Sequence, residues 1–297
     1  MEQMSSHNDA LSILAPAKVN LSLLIAGKRP DGFHAIETLM AKIDWYDEIL
    51  IRPGTNAGIE LICEGPCWAP TGEDNLVYRA AQLLLENSRT EVNVRITLRK
   101  NIPAGTGLGS ASSDAAATLM GLNRYFKCHL DERRLSTLAA QLGSDVSFFL
   151  NGPLAYCTGK GEKIKKINDV FPFTALLIVP DISISTKRVY ENYAHHPELY
   201  RKLSAQINFY LKKKRIDLVA RMCTNMLQES CFHLDKRLAE LRETVESMGL
   251  GPWCLSGSGS AMFCLFESKE KHTAIQYKRS IEKQTGCGSI IVRNNQW

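Results

Sequence analysis

The chain has 297 residues, of which 44% are hydrophobic and 23% charged, and its formal net charge is +5. That length favours two domains over a single core, the composition excludes disorder as the main state, and the mild positive balance suits anionic small molecules. No apolar run approaches the roughly 18 uninterrupted residues of a membrane span. The opening "MEQMSSHNDALSIL" lacks the positive start and apolar core of a signal peptide. A cytoplasmic chain with neither nucleic acid nor a membrane as partner is therefore expected.

In chain order, Val19, Leu21, Leu23 and Ile25 alternate with Lys18, Asn20 and Ser22 from Ala17 onward, the pattern of a half-buried strand with a lysine and an asparagine on one side. Asp31-Gly32 in "RPDGFH" marks a turn, and "HAIETLMAKIDW" completes a hairpin. "VNVRITLRK" (Val92 to Lys100) reads as a strand leading into "NIPAGTGLGS", and the alanines from Ser110 onward, with Leu119, Met120, Leu122 and Phe126, predict a helix. A second helix begins in "DERRLSTLAAQLGSDVSFFL" and ends near Gly143. "FTALLIVP" (Phe173 to Pro180) reads as a buried strand that opens a new unit, which places a domain boundary near Val170.

Further along, Lys212-Lys213-Lys214-Arg215 lies between apolar Leu211 and the Ile216-Leu218-Val219 group and reads as a solvated helix face. "CFHLDKRLAELRETVESMGL" has helical spacing up to Gly249, and "WCLSGSGSAMFCLF" places a small-residue loop between two apolar runs. The nine cysteines are scattered among mostly apolar neighbours, so reduced thiols are expected. Cys63 and Cys67 lack the second pair that a zinc finger requires.

The stretch "IPAGTGLGSASSDAAATLM" sets three glycines directly before an alanine-rich helix. Glycines at a helix N-terminus allow an anion close to unpaired backbone N–H groups, although a flexible turn capped by serine has the same appearance. Gly105, Gly107 and Gly109 fall at every second position, which fails the G-x-G-x-x-G spacing, and no Gly-Lys-Ser/Thr closes the loop as in a Walker A motif. A phosphate-binding lysine, if one is needed, must come from elsewhere.

"PAKVN" (Pro16 to Asn20), "PAGTGLGSASSDAA" (Pro103 to Ala116) and "LSGSGSAMF" (Leu255 to Phe263), in that order, resemble the three motifs of the galactokinase, homoserine, mevalonate and phosphomevalonate (GHMP) kinase superfamily. Within it, "PAKVNLSLLIAGKRPDGFH" with "LGSDVSFF" is similar to the branch whose substrate is 4-diphosphocytidyl-2-C-methyl-D-erythritol, in the non-mevalonate isoprenoid pathway. The resemblance implies an α+β fold with an ATP-binding N-terminal domain over residues 1–170, a C-terminal domain over 171–297 and an active site in the cleft between them. It implies that ATP is held by Pro103, Ala104, Gly105, Thr106, Gly107, Leu108, Gly109, Ser110, Ala111, Ser112 and Ser113.

The resemblance further implies that Lys18 and Asp145 flank the substrate hydroxyl that attacks the γ-phosphate. An aspartate can accept the hydroxyl proton, and a neighbouring lysine keeps that carboxylate ionised and stabilises charge on the transferred group. Taken alone, Asp145 after "LGS" reads as a helix cap or turn residue and Lys18 as a solvated strand residue. Phe33 and His34 match the cytidine end, where family members commonly have tyrosine in place of Phe33; the missing hydroxyl removes one polar partner. Tyr190 matches a second aromatic near the base, Asn20 and Thr186 match polar substrate contacts, and Ser256 to Ser260 match a loop beside the phosphates. Mg2+ is expected with ATP, its ligands unassigned among the serines after the loop and Asp145. The alternatives are another small-molecule kinase of the superfamily or a sensor that binds nucleotide without transfer. The sequence leaves the oligomeric state open.

Overall fold

The computed structural model describes residues 10–88, 93–169, 171–267 and 270–294. The first nine residues, Val92 at the expected start of a strand and Val170 at the expected domain boundary lie outside the described residues. Contacts divide the chain into two compact units: Met1–Pro16, Tyr46–Ala104 and Ser110–Leu150 form one, and Ala17–Trp45, Gly105–Gly109 and Asn151–Trp297 form the other. Strands β1 (Leu11–Lys28) and β2 (His34–Pro53) are long enough for each to contribute residues to both.

In the first unit, the second half of β2 pairs antiparallel with β4 (Asn93–Arg99), from Glu48 opposite Arg99 to Pro53 opposite Val94, and β4 pairs parallel with β3 (Gly58–Glu64). Val94, Ile96 and Leu98 of β4 alternate into the core as the two-residue period requires. Helix α1 (Leu76–Ser88) buries Val77, Ala80, Ala81, Leu84 and Leu85 at helical spacing. Helix α2 begins at Ser110, as the sequence predicts, and runs to Tyr125 with Ala115, Ala116, Ala117, Leu119 and Leu122 buried. Its small residues allow close seating: a Cβ on Gly121 would meet Ile51 Cδ1 at 2.6 Å and Ile13 Cδ1 at 2.7 Å. Helices α3 (Glu132–Leu142), capped by Asp131 through the Arg134 N–H, and α4 (Val146–Phe149) complete the unit.

In the second unit, the first half of β2 pairs antiparallel with β5 (Leu154–Gly159), and β5 with β6 (Lys163–Lys166). A separate antiparallel sheet centres on β7 (Thr174–Val179), the strand expected from "FTALLIVP". Helices α5 (Thr186–Glu191), α6 (Pro197–Lys212) and α7 (Ile216–Arg221) follow, and the short β8 (Thr224–Asn225) pairs parallel with β1 at Ser22 and Leu23. Helices α8 (Gln228–Leu234) and α9 (Lys236–Ser247), β9 (Cys254–Leu255), β10 (Met262–Phe266), α10 (Lys271–Thr285) and β11 (Gly288–Arg293) complete the chain. β10 and β11 flank β7, and Leu176, Ile178, Leu241, Trp253 and Phe266 belong to the core beneath.

Three expectations from the sequence differ from the structure. β1 is buried on both faces from Ala15 to Ile25, so Lys18, Asn20 and Ser22 do not face solvent. The single helix expected through "CFHLDKRLAELRETVESMGL" is two, because Asp235 takes an extended conformation and its side chain accepts from the Arg237 N–H to start α9. The cysteines are not all free thiols: Cys223 and Cys254, 31 residues apart with Cα atoms 5.2 Å apart, form a disulfide, leaving seven free. That pairing depends on tertiary contact between the β8 and β9 segments, which no local spacing encodes.

Candidate active site

The glycine loop has a specific backbone. Gly105, Gly107 and Gly109 all have positive φ, at +72°, +78° and +71°, whereas Thr106 and Leu108 between them do not. Alternation of this kind curls successive N–H groups toward one side and makes an anion-binding concavity. A Cβ at Gly107 would meet the Ser256 carbonyl oxygen at 2.0 Å, so close approach as well as conformation requires glycine there.

Lys18 is held against this loop. Its backbone N–H donates to the Leu108 carbonyl at 2.9 Å, and its side chain, 3% exposed, donates through Nζ to the Gly107 carbonyl at 2.7 Å and to Asn20 Oδ1. Asn20 Nδ2 donates to Thr38 Oγ1 at 2.8 Å, and Thr38 in turn donates to the Ser22 carbonyl at 2.7 Å. The polar face of β1 is thus a hydrogen-bonded network whose order depends on the loop and on β2.

The "SGSGS" segment closes on the same place. Ser256 Oγ donates to the Gly107 carbonyl at 2.9 Å, the Ala261 N–H donates to the Thr106 carbonyl at 3.0 Å, and a Cβ at Gly257 would lie 3.3 Å from Lys18 Nζ. Asn225 of β8 steadies the segment by donating to the Leu255 and Gly257 carbonyls at 2.8 and 2.7 Å. Thr186, at the first position of α5, shares a hydrogen bond of 2.8 Å with Ser258 Oγ. The unit therefore brings Lys18, Asn20, Gly105 to Gly109 and Thr186 into one connected network.

The predicted nucleoside-binding residues form a second group. His34 stacks at a tilt on Tyr190 with ring centroids 5.2 Å apart and meets Tyr193 edge-on at 6.1 Å. Burial, with Lys28 and His195 nearby, moves the His34 imidazole below its ordinary pKa, which favours the neutral ring. Phe33 is 59% exposed on the turn, its N–H held by Asp31, with Lys160 Nζ 4.7 Å from its ring centre. An exposed aromatic next to a neutral imidazole suits a heteroaromatic base, through stacking on one side and a polar edge on the other.

The first unit carries Pro103, Ala104, Ser110, Ala111, Ser112, Ser113 and Asp145. Its centre is an ion triad: Lys100, 2% exposed, donates to Asp114 Oδ2 at 2.7 Å and to Asp47 Oδ2. Asp47 Oδ1 also accepts the N–H groups of Asn101 and Ile102 at 2.6 and 2.8 Å, which fixes the approach to the glycine loop. Burial, with Asp47 close by, pushes the Asp114 carboxyl up to about 8 against the pull of Lys100. Ser113 Oγ and Asp114 Oδ1 are buried with no hydrogen-bond partner among the described residues. Asp145 immediately precedes α4, yet its side chain caps no N–H of that helix, so capping does not explain it.

Thr38, Asn225, Lys160 and the Lys100 triad were not picked out by sequence. Lys100 sits at the end of a strand and Asp114 inside the motif, but Thr38 and Asn225 have no local signature; only the network around Asn20 and Gly257 identifies them. Among the described residues no group of three or more His, Cys, Asp or Glu side chains is placed to hold a metal, and no helix is long and apolar enough to cross a membrane.

Comparison with known proteins identifies the family. The models for the GHMP kinases N terminal domain and GHMP kinases C terminal match residues 75–153 and 210–282. A 4-diphosphocytidyl-2-C-methyl-D-erythritol kinase of Chloroherpeton thalassium is 37% identical, covering 89% of this chain and 92% of its own. One of Citrifermentans bemidjiense is 36% identical, covering 95% and 98%. A crystal structure of 4-(cytidine 5'-diphospho)-2C-methyl-D-erythritol kinase superposes with a TM-score of 0.75 at 32% identity, covering 96% of this chain and all of that one. Homoserine kinase from Cytophaga hutchinsonii shares the fold, with a TM-score of 0.77 at 20% identity. By the two domain models and by identity over most of its length, the chain belongs to the GHMP kinases and, within them, to the 4-diphosphocytidyl-2-C-methyl-D-erythritol kinase family.

Proposed function

We propose that this chain transfers the γ-phosphate of ATP to the 2-hydroxyl of 4-diphosphocytidyl-2-C-methyl-D-erythritol. The observation that carries the reading is the attachment of Lys18 to the Gly107 carbonyl, which sets an ammonium beside a loop of alternating φ suited to phosphate. ATP lies along Pro103 to Ser113, with the α2 N-terminus supplying amides and a positive dipole end. Asp145 takes the proton of the 2-hydroxyl, and Lys18 stabilises charge on the attacking oxygen and the transferred group. Asn20 and Thr186 orient the erythritol, while Phe33, His34 and Tyr190 hold the cytidine end.

Magnesium accompanies the nucleotide and offsets its phosphate charge. The hydroxyls after the loop and the Asp145 carboxylate are oxygen donors of the kind this ion takes, and the unpartnered Ser113 Oγ is the orphaned donor among them. Residues 1–170 and 171–297 correspond, in this reading, to the nucleotide-binding and C-terminal domains of a cytoplasmic enzyme. Purified protein offered ATP and Mg2+ with the cytidylated substrate, mevalonate derivatives or homoserine should release ADP with the first alone. Turnover of mevalonate derivatives alone would overturn the substrate assignment.

A further inference from the structure

A cavity of about 820 Å³ lies within the second unit, bordered by β5, β6, the end of α6 and the start of α7. Its construction follows from register. Tyr156 pairs with Lys165 and Thr158 with Lys163, so these four side chains share one sheet face, and strand alternation puts Ile167, just past β6, on that face as well. Facing them on α6 are Asn208, Leu211 and Lys212, spaced to share one side of the helix with Ser204.

The wall behind the cavity is fixed. Glu37 accepts the hydroxyls of Tyr156, Tyr200 and Ser204 at 2.7, 2.8 and 2.8 Å, and Asn208 Nδ2 donates to Ser204. Glu37 is therefore engaged on its own network rather than with the lysines. Thr38, the next residue of β2, points to the opposite sheet face, where it meets Asn20. The cavity is thus separate from the Lys18 network.

Its charge is unbalanced. Lys163, Lys165, Lys212 and Lys214 line it, and Asp169, 3.7 Å from Lys214, is the one carboxylate among its described lining residues. The negative end of α6 is closed by N–H donors from Lys213, Lys214 and Arg215 to carbonyls of its last turn, which reduces its repulsion of an anion. Ile167, Leu211 and Ile216 supply apolar lining between the lysines, and the volume falls in the range of small-molecule sites. A solvated lysine face, the sequence-based expectation for residues 212–215, explains the exposure of these side chains but not the concave lining in which Lys212 and Lys214 share apolar Ile167, Leu211 and Ile216 with lysines of β6.

We propose that this cavity binds a phosphate ester with an apolar chain, its phosphate among Lys163, Lys165 and Lys212 and its chain against Ile167, Leu211 and Ile216. Lysine ammoniums suit the compact dianion, and the apolar lining distinguishes such an ester from inorganic phosphate.

The test is calorimetric titration of the full chain with n-octyl phosphate below its micelle concentration, with a non-hydrolysable ATP analogue saturating the nucleotide site. One saturable site is expected, weakened about tenfold by Lys165→Glu/Lys212→Glu and by raised salt, with 1-octanol and inorganic diphosphate each binding more weakly. Kinase turnover and melting temperature of the double variant should match the parent; if the charge reversal misfolds, Lys165→Ala/Lys212→Ala serves instead. No saturable binding, affinity unchanged in the variant, or diphosphate binding as tightly as octyl phosphate would overturn the proposal. So would lysine-dependent sedimentation with phosphatidylglycerol vesicles in place of octyl phosphate binding, which would assign this face to a membrane surface.

Discussion

The two units each bury a lysine, and they use it differently. Lys100 lies between the carboxyl groups of Asp47 and Asp114, and the group ties together the end of β4, the second half of β2 and the second turn of α2. Lys18, within its own unit, donates to an amide oxygen and a backbone carbonyl, which orient the ammonium beside the glycine loop. A buried cation between two aspartates ties elements together; one oriented beside a loop of curled amides is suited to an incoming phosphate.

Substitution separates the two lysines. The largest effect is expected on catalysis: Asp145→Asn and Lys18→Met should each lower turnover by about 10²–10⁴-fold while circular dichroism and melting temperature stay near those of the parent. ATP affinity of Asp145→Asn should be nearly unchanged by calorimetry; unchanged turnover would remove Asp145 from the mechanism. Lys100→Met should do the reverse. It leaves Asp47 and Asp114 buried without their cation and should cost about 3–5 kcal/mol in urea unfolding, far more than Lys18→Met. Equal destabilisation by the two substitutions would erase the distinction.

Gly107→Ala comes next. Its left-handed backbone and the Ser256 oxygen at 2.0 Å leave no room for a methyl group, so ATP affinity should fall about tenfold or more, whereas Gly32→Ala, with nothing within 4 Å, should leave it unaltered. Equal ATP affinity in the two variants would contradict the packed cradle.

A smaller effect concerns pH. The Asp114 carboxyl, pushed up to about 8, contributes stability that is fully present below the ordinary carboxyl range and is lost as pH rises through about 8. Melting temperature should therefore decline from pH 5 to 8 in the parent and vary less in Asp114→Asn; parallel profiles would show that Asp114 is ionised throughout. Smallest of all, Phe33→Tyr should lower KM for the cytidylated substrate a few-fold with kcat unchanged, because Phe33 is exposed and a hydroxyl there regains a polar contact. A change in kcat instead would place Phe33 near the reacting atoms rather than at the cytidine end.

What was readable in the chain was what is local. Glycine at alternate positions, the serine start of α2 and the alternation from Ala17 to Ile25 all announce their elements. The polar face of β1 has the sequence pattern of a solvated face because its cover, Gly107 and Thr38, lies 89 and 18 residues away from Lys18 and Asn20. Asn225 acts on a loop 30 residues further along the chain, and the Cys223–Cys254 bond joins segments that no spacing rule connects. The break at Asp235 was a local signal of another kind, since an aspartate before "KRLAELR" is a normal helix start that the continuous apolar spacing concealed.

Transfer to the 2-hydroxyl and to no other is decided by 31P NMR of the product formed from ATP and 4-diphosphocytidyl-2-C-methyl-D-erythritol. The carbon at position 2 bears a methyl group and no hydrogen, so a phosphate placed there should appear as a new phosphomonoester resonance without three-bond coupling to a proton. A proton-coupled phosphomonoester resonance would put the phosphate on a different hydroxyl, and ADP formation with no new phosphomonoester would contradict transfer to this substrate altogether.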